Sequence, residues 1–287
     1  MMILDSLSPY IRVAMDDINT EPWFIQERVL FDYELLYVME GELLVTIEEE
    51  IYEGRQGDIF LFRPGQRHSL RKTSPKLRQP HIHFDFFYQE DSPGVKVSFR
   101  SWDKISEEEK HWFREDIMDQ MPVPLSSHLR LKNPLLIEQM LIQLINEFDL
   151  KMPFFEIKIK GLFIQLWIQI LRENYWNLHP HLITNFQTLL KVKDFLMNTP
   201  ERKVTLEEIS KMSGISKHYL IRLFKKAFGM SPLQYHQFIR IQRAKHLIQF
   251  TEDSIDAIAE KMGYPNIHAF SRAFKTVDGI HPSFYRN

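Results

Sequence analysis

The chain predicts an α+β protein in two parts. A small antiparallel β-barrel stands in front with a helical extension behind it, and an all-α tail carries two helix-turn-helix units. Three observations predict this. The first hundred residues set short β-branched and aromatic runs between Gly-containing turns, the middle switches to apolar residues at three- and four-residue spacing, and the tail repeats one phrase at a fixed offset. At 287 residues and 44% hydrophobic composition, the chain is long and apolar enough for two ordinary cores.

Residues 1–100 read as strands. Residues 30–39, the turn Glu40-Gly41-Glu42 and residues 43–47 suggest a hairpin, and Glu53-Gly54 suggests a second turn. Gln56-Gly57-Asp58 then leads into residues 59–62 and Pro64-Gly65. Short strands punctuated this densely suggest a barrel. Within it, His81-Ile82-His83-Phe84-Asp85 carries the most chemistry. Strand alternation puts His81, His83 and Asp85 on one face and Ile82, Phe84, Phe86 and Tyr88 on the other. Two imidazoles and a carboxylate on one face line a polar pocket, or else form the exposed face of an edge strand. A third reading is a His-x-His metal site completed by His68. Trp23, Arg28, Glu34 and Tyr37 are further candidates to face the cavity.

Residues 101–176 form the expected helical extension. One helix opens at Asn133 or Pro134, and another opens at Pro153 and runs through Phe163 and Trp167 to Leu171. The second is apolar over more than one stripe, so it buries two faces: both within one chain, or one of them in a dimer. Residues 177–185, with His179-Pro180-His181, read as a linker, and residues 186–197 as the first helix of the tail domain spanning 186–287.

In the tail, Arg222 and Arg272, Phe224 and Phe274, Lys225 and Lys275, Gly229 and Gly279, Pro232 and Pro282, and Tyr235 and Tyr285 are all separated by 50 residues. Six identities at one offset mark a duplicated unit. In the first copy Leu220, Leu223 and Phe224 share a buried stripe, while His218, Ile221, Arg222 and Lys225 share the outer one. Ser216 suits the N-cap and Gly229 the C′ position. A short helix from Leu206 to Met212 and the turn Ser213-Gly214 precede it, which is helix-turn-helix arithmetic. In the second copy Phe270, Ala273 and Phe274 are expected inside, with Ile267, His268, Ser271, Arg272 and Lys275 outside. A solvated cationic face explains one such helix but not the same placement twice. From Leu182 to Asn287 there are 16 Lys and Arg against 9 Asp and Glu, leaving 20 against 29 in the remainder, so only the tail is suited to a polyanion.

The chain has no cysteine, which excludes disulfides, thiolate metal sites and cysteine nucleophiles. Its start shows no basic segment leading into an apolar run, and its longest apolar stretch, 161–171, is too short to span a bilayer. A cytoplasmic protein without a membrane partner is the expectation.

Residues 205–287 resemble the DNA-binding domain of the AraC/XylS family of transcription regulators. The phrases Tyr219-Leu220-x-Arg222-Leu223-Phe224-Lys225, Gly229-x-Ser231-Pro232, Gly263-Tyr264, Phe270-Ser271-Arg272-x-Phe274-Lys275 and Pro282-x-x-Tyr285-Arg286 carry the resemblance. Asp278 and His281 depart from the pattern, His281 standing where the family usually has Ser. Gly57-Asp58-Ile59 and Pro64-Gly65-Gln66-Arg67-His68 resemble the cupin-like sensor common at the front of such regulators. The resemblance implies a double-stranded DNA partner, RNA polymerase as a second partner, a homodimer, an activating rather than repressing role, no cofactor, and a small polar effector, such as a sugar, in the barrel. Arg28, Glu34, His68, His81 and His83 are the candidate effector residues.

On the reading helices, Arg222 and Arg272 suit guanine edges, and Ile221 and Ile267 suit thymine methyls. His218, Lys225, His268, Ser271 and Lys275 are further candidates, and Lys217 and Lys226 suit phosphates. Metal-dependent cupins use His-x-His, a Glu and a later His. Glu34 and His68 match two of these positions, but the others hold Arg28 and Leu30, so no catalytic metal and no enzyme are expected. A cupin metalloenzyme fused to a DNA-binding tail, and a regulator that uses its barrel only as a scaffold, are the alternatives.

Overall fold

The computed structural model describes residues 3–132 and 134–286, which divide into two units at residues 178 and 179. Nine strands lie in the first: β1 (Tyr10–Asn19), β2 (Phe24–Arg28), β3 (Tyr33–Tyr37), β4 (Glu42–Ile47), β5 (Glu50–Arg55), β6 (Asp58–Phe62), β7 (His68–Lys72), β8 (Leu77–Asp85) and β9 (His128–Arg130). They form two sheets, ordered β1-β8-β3-β6-β9 and β2-β7-β4-β5, with every pairing between named strands antiparallel. Alternation along β3 shows how the layers arise. Leu36 joins Val45, Phe60, Phe62 and Leu70 in a core drawn from both sheets, while Tyr33, Leu35 and Tyr37 face the opposite way.

That opposite face is covered by α1 (Pro134–Leu150) and α2 (Phe155–Leu178), which pack on each other and on β1 and β8. Along α2, Ile159, Leu162, Phe163, Leu166, Trp167, Ile170 and Leu171 are buried at helical spacing. Phe84 of β8 meets Phe163 with ring centroids 4.5 Å apart, and Phe86 meets Trp167 at 4.8 Å. Such pairs add roughly 0.5–1.5 kcal/mol each beyond their buried area.

Several expectations need correction. The residues on either side of Gly41 are not a hairpin, because β3 pairs with β6 and β8 whereas β4 pairs with β5 and β7. The Gly41 turn carries the chain from one sheet to the other; its φ is +87°, and a Cβ there would lie 2.0 Å from the Lys76 carbonyl. Gly54 is not a turn residue either. It sits within β5 opposite Leu43, where a Cβ would press on the rings of Phe60. The hairpin turn lies at Glu48-Glu49, where Glu48 takes a φ of +52° with no Gly to signal it. Helix does not begin at residue 101: the stretch to 132 holds three short 3₁₀ turns and then β9, which extends the first sheet beside β6. Of the two expected starts for α1, Pro134 is observed and Asn133 lies outside the described residues. The second helix opens at Phe155 instead of Pro153.

The second unit holds α3 (Pro180–Met197), α4 (Leu206–Ser213), α5 (Lys217–Phe228), α6 (Pro232–Phe250), α7 (Ile255–Lys261) and α8 (Ile267–Asp278), ending in a 3₁₀ turn at Pro282–Tyr285. The segment 177–185, read as a linker, is helical except around His179, since α2 runs to Leu178 and α3 starts at Pro180. Pro180 occupies the first turn of α3, where its missing N–H costs no hydrogen bond, so it starts a helix here instead of breaking one. α6 contacts α3, α5, α7 and α8, so one central helix supports both repeats.

Helix ends follow local chemistry. Thr205, Ser231, Ser254 and Asn266 each accept a backbone N–H at an N-terminus, whereas Ser216, expected to do the same, makes no such bond. The repeat is offset by 49 residues at Ile209 and Ile258 and at Gly214 and Gly263, then by 50 from Ser216 and Asn266 onward. The second turn is therefore one residue longer. Gly214 and Gly263 share a φ of +68°, but a Cβ at 214 meets nothing within 4 Å whereas one at 263 would lie 2.7 Å from the Glu201 carbonyl. Gly214→Ala is expected to cost roughly 1–2 kcal/mol from its left-handed backbone alone. Gly263→Ala should cost about 1–3 kcal/mol more through overpacking. Urea unfolding followed by circular dichroism compares the two, and equal losses would contradict the assigned contact.

Candidate nucleic-acid interface and sensor site

The two candidate reading helices are α5 and α8. Leu220, Leu223 and Phe224 are buried in α5, as are Phe270 and Phe274 in α8, while Ala273 is half-buried. This fixes what faces outward. Lys217, His218, Arg222, Lys225 and Lys226 are exposed on α5, and His268, Arg272 and Lys275 on α8, with Ile221, Ile267 and Ser271 half-buried beside them. His218 and His268, Arg222 and Arg272, and Lys225 and Lys275 occupy matching turns. Among the described residues Arg222, Lys225, Arg272 and Lys275 make no ion pair, while Lys217 pairs with Glu207 of α4 at the surface. The Arg222 guanidinium lies 5.1 Å over the Tyr219 ring, a neighbour that sequence reading did not single out.

The scaffold behind these faces is also duplicated. Lys193 of α3 lies 5.0 Å from the Phe228 ring and 5.7 Å from that of Tyr235. Lys245 of α6 lies 4.2 Å from the Tyr285 ring and donates to Asp278 at 3.0 Å. Asp278 also accepts from the Tyr285 hydroxyl at 2.5 Å, so this departure from the family pattern closes the C-terminal turn. The other departure, His281, caps the last 3₁₀ turn by accepting from the Ser283 amide. Arg240 of α6 donates to the carbonyl of Met262 and covers Tyr264 at 4.1 Å, fastening the longer turn of the second repeat.

In the first unit, β8 lies between β1 and β3, so it is no edge strand. Ile82, Phe84 and Phe86 join the helix-covered core, which sends His81, His83 and Asp85 to the inner face. The fold brings the five candidate effector residues together. Arg28 and His68 are opposite each other on β2 and β7, and Glu34 and His83 are opposite on β3 and β8. Arg28 Nη2 lies 2.5 Å from Glu34 Oε2, and Arg28 Nε donates to His68 Nε2 at 3.0 Å. Arg28, Glu34, His68 and His83 are at most 2% exposed, and His81 is half-buried. Tyr37, a candidate for the cavity, points the other way and donates to Glu138 of α1. Trp23 packs against the core between the sheets.

Behind the cluster stands a second set, of which sequence reading named Asp85 but missed Asp32, Arg12 and Arg114. Asp32 accepts from Arg12 and contacts His83 Nδ1 at 3.3 Å, while Asp85 accepts from Arg12 at 3.0 Å and lies 3.1 Å from Arg114 Nε. Asp32 shares the period of Glu34 and Leu36, which was a usable signal; Arg12 and Arg114 come from distant segments and carried none.

Burial alone would raise the Glu34 carboxyl. The Arg28 guanidinium, chief among the neighbouring charges, outweighs it and brings the value down to about 2. His68 is lowered to about 4, first by burial and then by the Arg28 charge. The folded chain therefore holds His68 neutral, while the unfolded chain protonates it near its ordinary 6.5. Stability from this group is intact above 6.5 and lost as pH falls toward 4, with a slope of up to about 1.4 kcal/mol per pH unit. His68→Gln should flatten that limb; thermal denaturation from pH 7 to about 4 measures it, and an unchanged slope would contradict the assignment.

A helix-turn-helix domain family model matches residues 209–287, and a cupin domain model matches residues 31–77. Among curated proteins, the chain is 25% identical over 262 residues to the HTH-type transcriptional regulator YisR of Bacillus subtilis, covering 91% of this chain and 87% of that one. It is 33% identical over 94 residues to the lactose operon transcription activator of Staphylococcus xylosus, covering 33% of this chain and 34% of that protein. Among solved structures, the C-terminal domain of AraT, a response regulator from Geobacillus stearothermophilus, matches with 32% identity and a TM-score of 0.33, over 34% of this chain and 83% of that one. No helix among the described residues is long and apolar enough to cross a membrane.

Duplicated reading helices behind a two-sheet front define a DNA-binding transcription regulator. Residues 209–287 are thus similar to a helix-turn-helix domain of AraC type, and residues 31–77 to a cupin domain.

Proposed function

We propose that this regulator reads DNA with α5 and α8 and answers to a small polar effector held in its front barrel. The observation that carries the reading is the matched pair of outward faces. Arg222 and Arg272 stand at the same turn of two helices whose opposite stripes are buried, each one turn from an exposed Lys. Two such helices enter successive major grooves when they stand about 34 Å apart. Arg222 and Arg272 then reach guanine O6 and N7, with His218, Lys225, His268, Ser271 and Lys275 beside them and Ile221 and Ile267 against thymine methyls. Lys217 and Lys226 sit on phosphates; for Lys217 this exchanges an exposed pair with Glu207 for a phosphate oxygen.

Arg28, Glu34, His68, His81 and His83 form the effector site in this reading. Their convergence supports it, and so do relatives named for sugar operons: the lactose operon activator of Staphylococcus xylosus and the raffinose operon regulatory protein RafR of Pediococcus pentosaceus. The effector is then a carbohydrate, and the protein a cytoplasmic activator that engages RNA polymerase when the effector biases sensor and reader. Leu150, Met152, Phe154 and Ile157 expose large apolar surface around the α1–α2 turn, which supports a homodimer formed through the sensor helices. The barrel acts as a binding module and not as an enzyme, because Arg28 and Leu30 occupy two of the four positions that metal-dependent cupins use.

Arg222→Ala is expected to cost about 1–3 kcal/mol on the cognate site and to relax preference at one base pair, whereas Lys226→Ala should weaken cognate and scrambled duplexes alike. Mobility-shift titrations on both duplexes test this, and equal losses from both variants would refute the division. A thermal-shift screen with sugars and other polar metabolites tests the effector reading, since a bound ligand raises the melting temperature by mass action. No response to any of them would favour a barrel that serves as scaffold.

A further inference from the structure

The four-ligand cupin pattern fails in this chain, yet the fold gathers a different donor set from other strands. Glu34 of β3 and His81 and His83 of β8 each place one ligating atom within 4.8 Å of the others. The contacts of the two imidazoles show which nitrogen of each is directed toward the others. His83 Nδ1 faces the Asp32 carboxylate and His81 Nδ1 faces the Gln79 carbonyl, both at 3.3 Å. A carbonyl oxygen is an acceptor, and these contacts turn each Nδ1 toward an oxygen and leave each Nε2 directed away from it. His83 Nε2 stands 3.7 Å from Glu34 Oε2, two potential ligand atoms facing each other. His68 is different, because its Nε2 already accepts from Arg28.

We propose that Glu34, His81 and His83 bind a divalent first-row transition ion, with Asp32 and the Gln79 carbonyl as the outer acceptors that orient the two imidazoles. Two imidazole nitrogens and a carboxylate oxygen suit zinc or iron(II) and leave coordination positions open. Closing the spread to bonds near 2.1 Å takes side-chain adjustments on the order of 1 Å. Arg28 stays on Glu34 as the carboxylate's own partner. Its charge does not leave the cluster cationic, since Arg12, Arg28 and Arg114 are set against Asp32, Glu34, Asp85 and Asp91. The inference rests on the effector reading in one respect only: an oxygen donor of the effector fills the open positions.

The test uses chelator-treated full-length protein dialysed against Zn²⁺, with metal content by elemental analysis and competition with a chromophoric chelator. One tightly held ion per chain is expected. His81→Ala should weaken it at least about tenfold, and Asp32→Asn about 10–100-fold through the lost orienting bond. The double variant His179→Ala/His181→Ala, which removes the sequence's other His-x-His pair, should leave it unchanged. Circular dichroism identifies any variant that does not fold, and the remaining variant then decides. No uptake, uptake that survives both His81→Ala and Asp32→Asn, or uptake lost with His179 and His181 overturns the proposal. A chain that takes up no zinc but is stabilised by a sugar overturns it while leaving the effector reading intact.

Discussion

The alternation of side chains along β8 is the constraint on which the sensor unit depends. With a period of two, Ile82, Phe84 and Phe86 go to the helix layer and His81, His83 and Asp85 to the inner face. A slip of one residue would press imidazoles against Phe163 and Trp167 and strand Asp32 and Glu34 opposite rings. Both halves of that exchange bury polar groups without partners, at roughly 1–3 kcal/mol for each unsatisfied group. The pairing of Glu34 with His83 is thus held by the apolar layer and the ionic cluster together, and α1 and α2 dock on the face that results.

The ionic cluster is not there because ions stabilise a barrel. Charges taken out of water lose hydration that their attraction only partly repays, and apolar side chains of the same volume hold such a core as well or better. Arg28 and Glu34 are almost fully buried, and either alone would be an uncompensated charge. A neighbouring region of the same interior is filled by Leu36, Val45, Phe60, Phe62 and Leu70, which shows that the apolar solution was open to this chain. The polar set instead does something an apolar core cannot: it keeps imidazole lone pairs and a carboxylate oxygen turned toward one another. That arrangement, held by Asp32, Arg12 and backbone carbonyls, is what the proposed binding site would use.

Much of this was legible in the residues. The duplicated tail was, because six identities at a fixed offset also fix which stripe of each helix is buried, and Leu220, Phe224, Phe270 and Phe274 lie inside as that stripe requires. The face assignment on β8 was legible for the same periodic reason. What escaped were contacts between distant segments. Nothing local in Gly41 or Gly54 distinguishes a turn from a sheet crossing or a close approach to Phe60. The turn at Glu48-Glu49 lacks the glycine that would announce it, and the three-residue β9 has no strand pattern until β6 pairs with it. The segment around Pro180 read as a linker because proline can open a helix as well as interrupt one, and only the chain beyond it decides.

The two reading helices owe their equivalence to a scaffold that is duplicated more loosely than they are. α3 backs the first repeat and α6 the second, each laying a lysine on the aromatic residues that close its unit: Lys193 on Phe228 and Tyr235, Lys245 on Tyr285. The extra residue in the second turn breaks the register by one, and Arg240 absorbs it by fastening the Met262 carbonyl and covering Tyr264. The proposed reading of DNA at two sites would require such a scaffold, because a base-edge contact discriminates only when the side chain's position is set before it arrives. Drift between α5 and α8 would leave phosphate attraction in place and lose the sequence preference. In the proposed reading, the buried face of α6, in contact with helices of both repeats, would then matter to specificity as much as the arginines that reach outward.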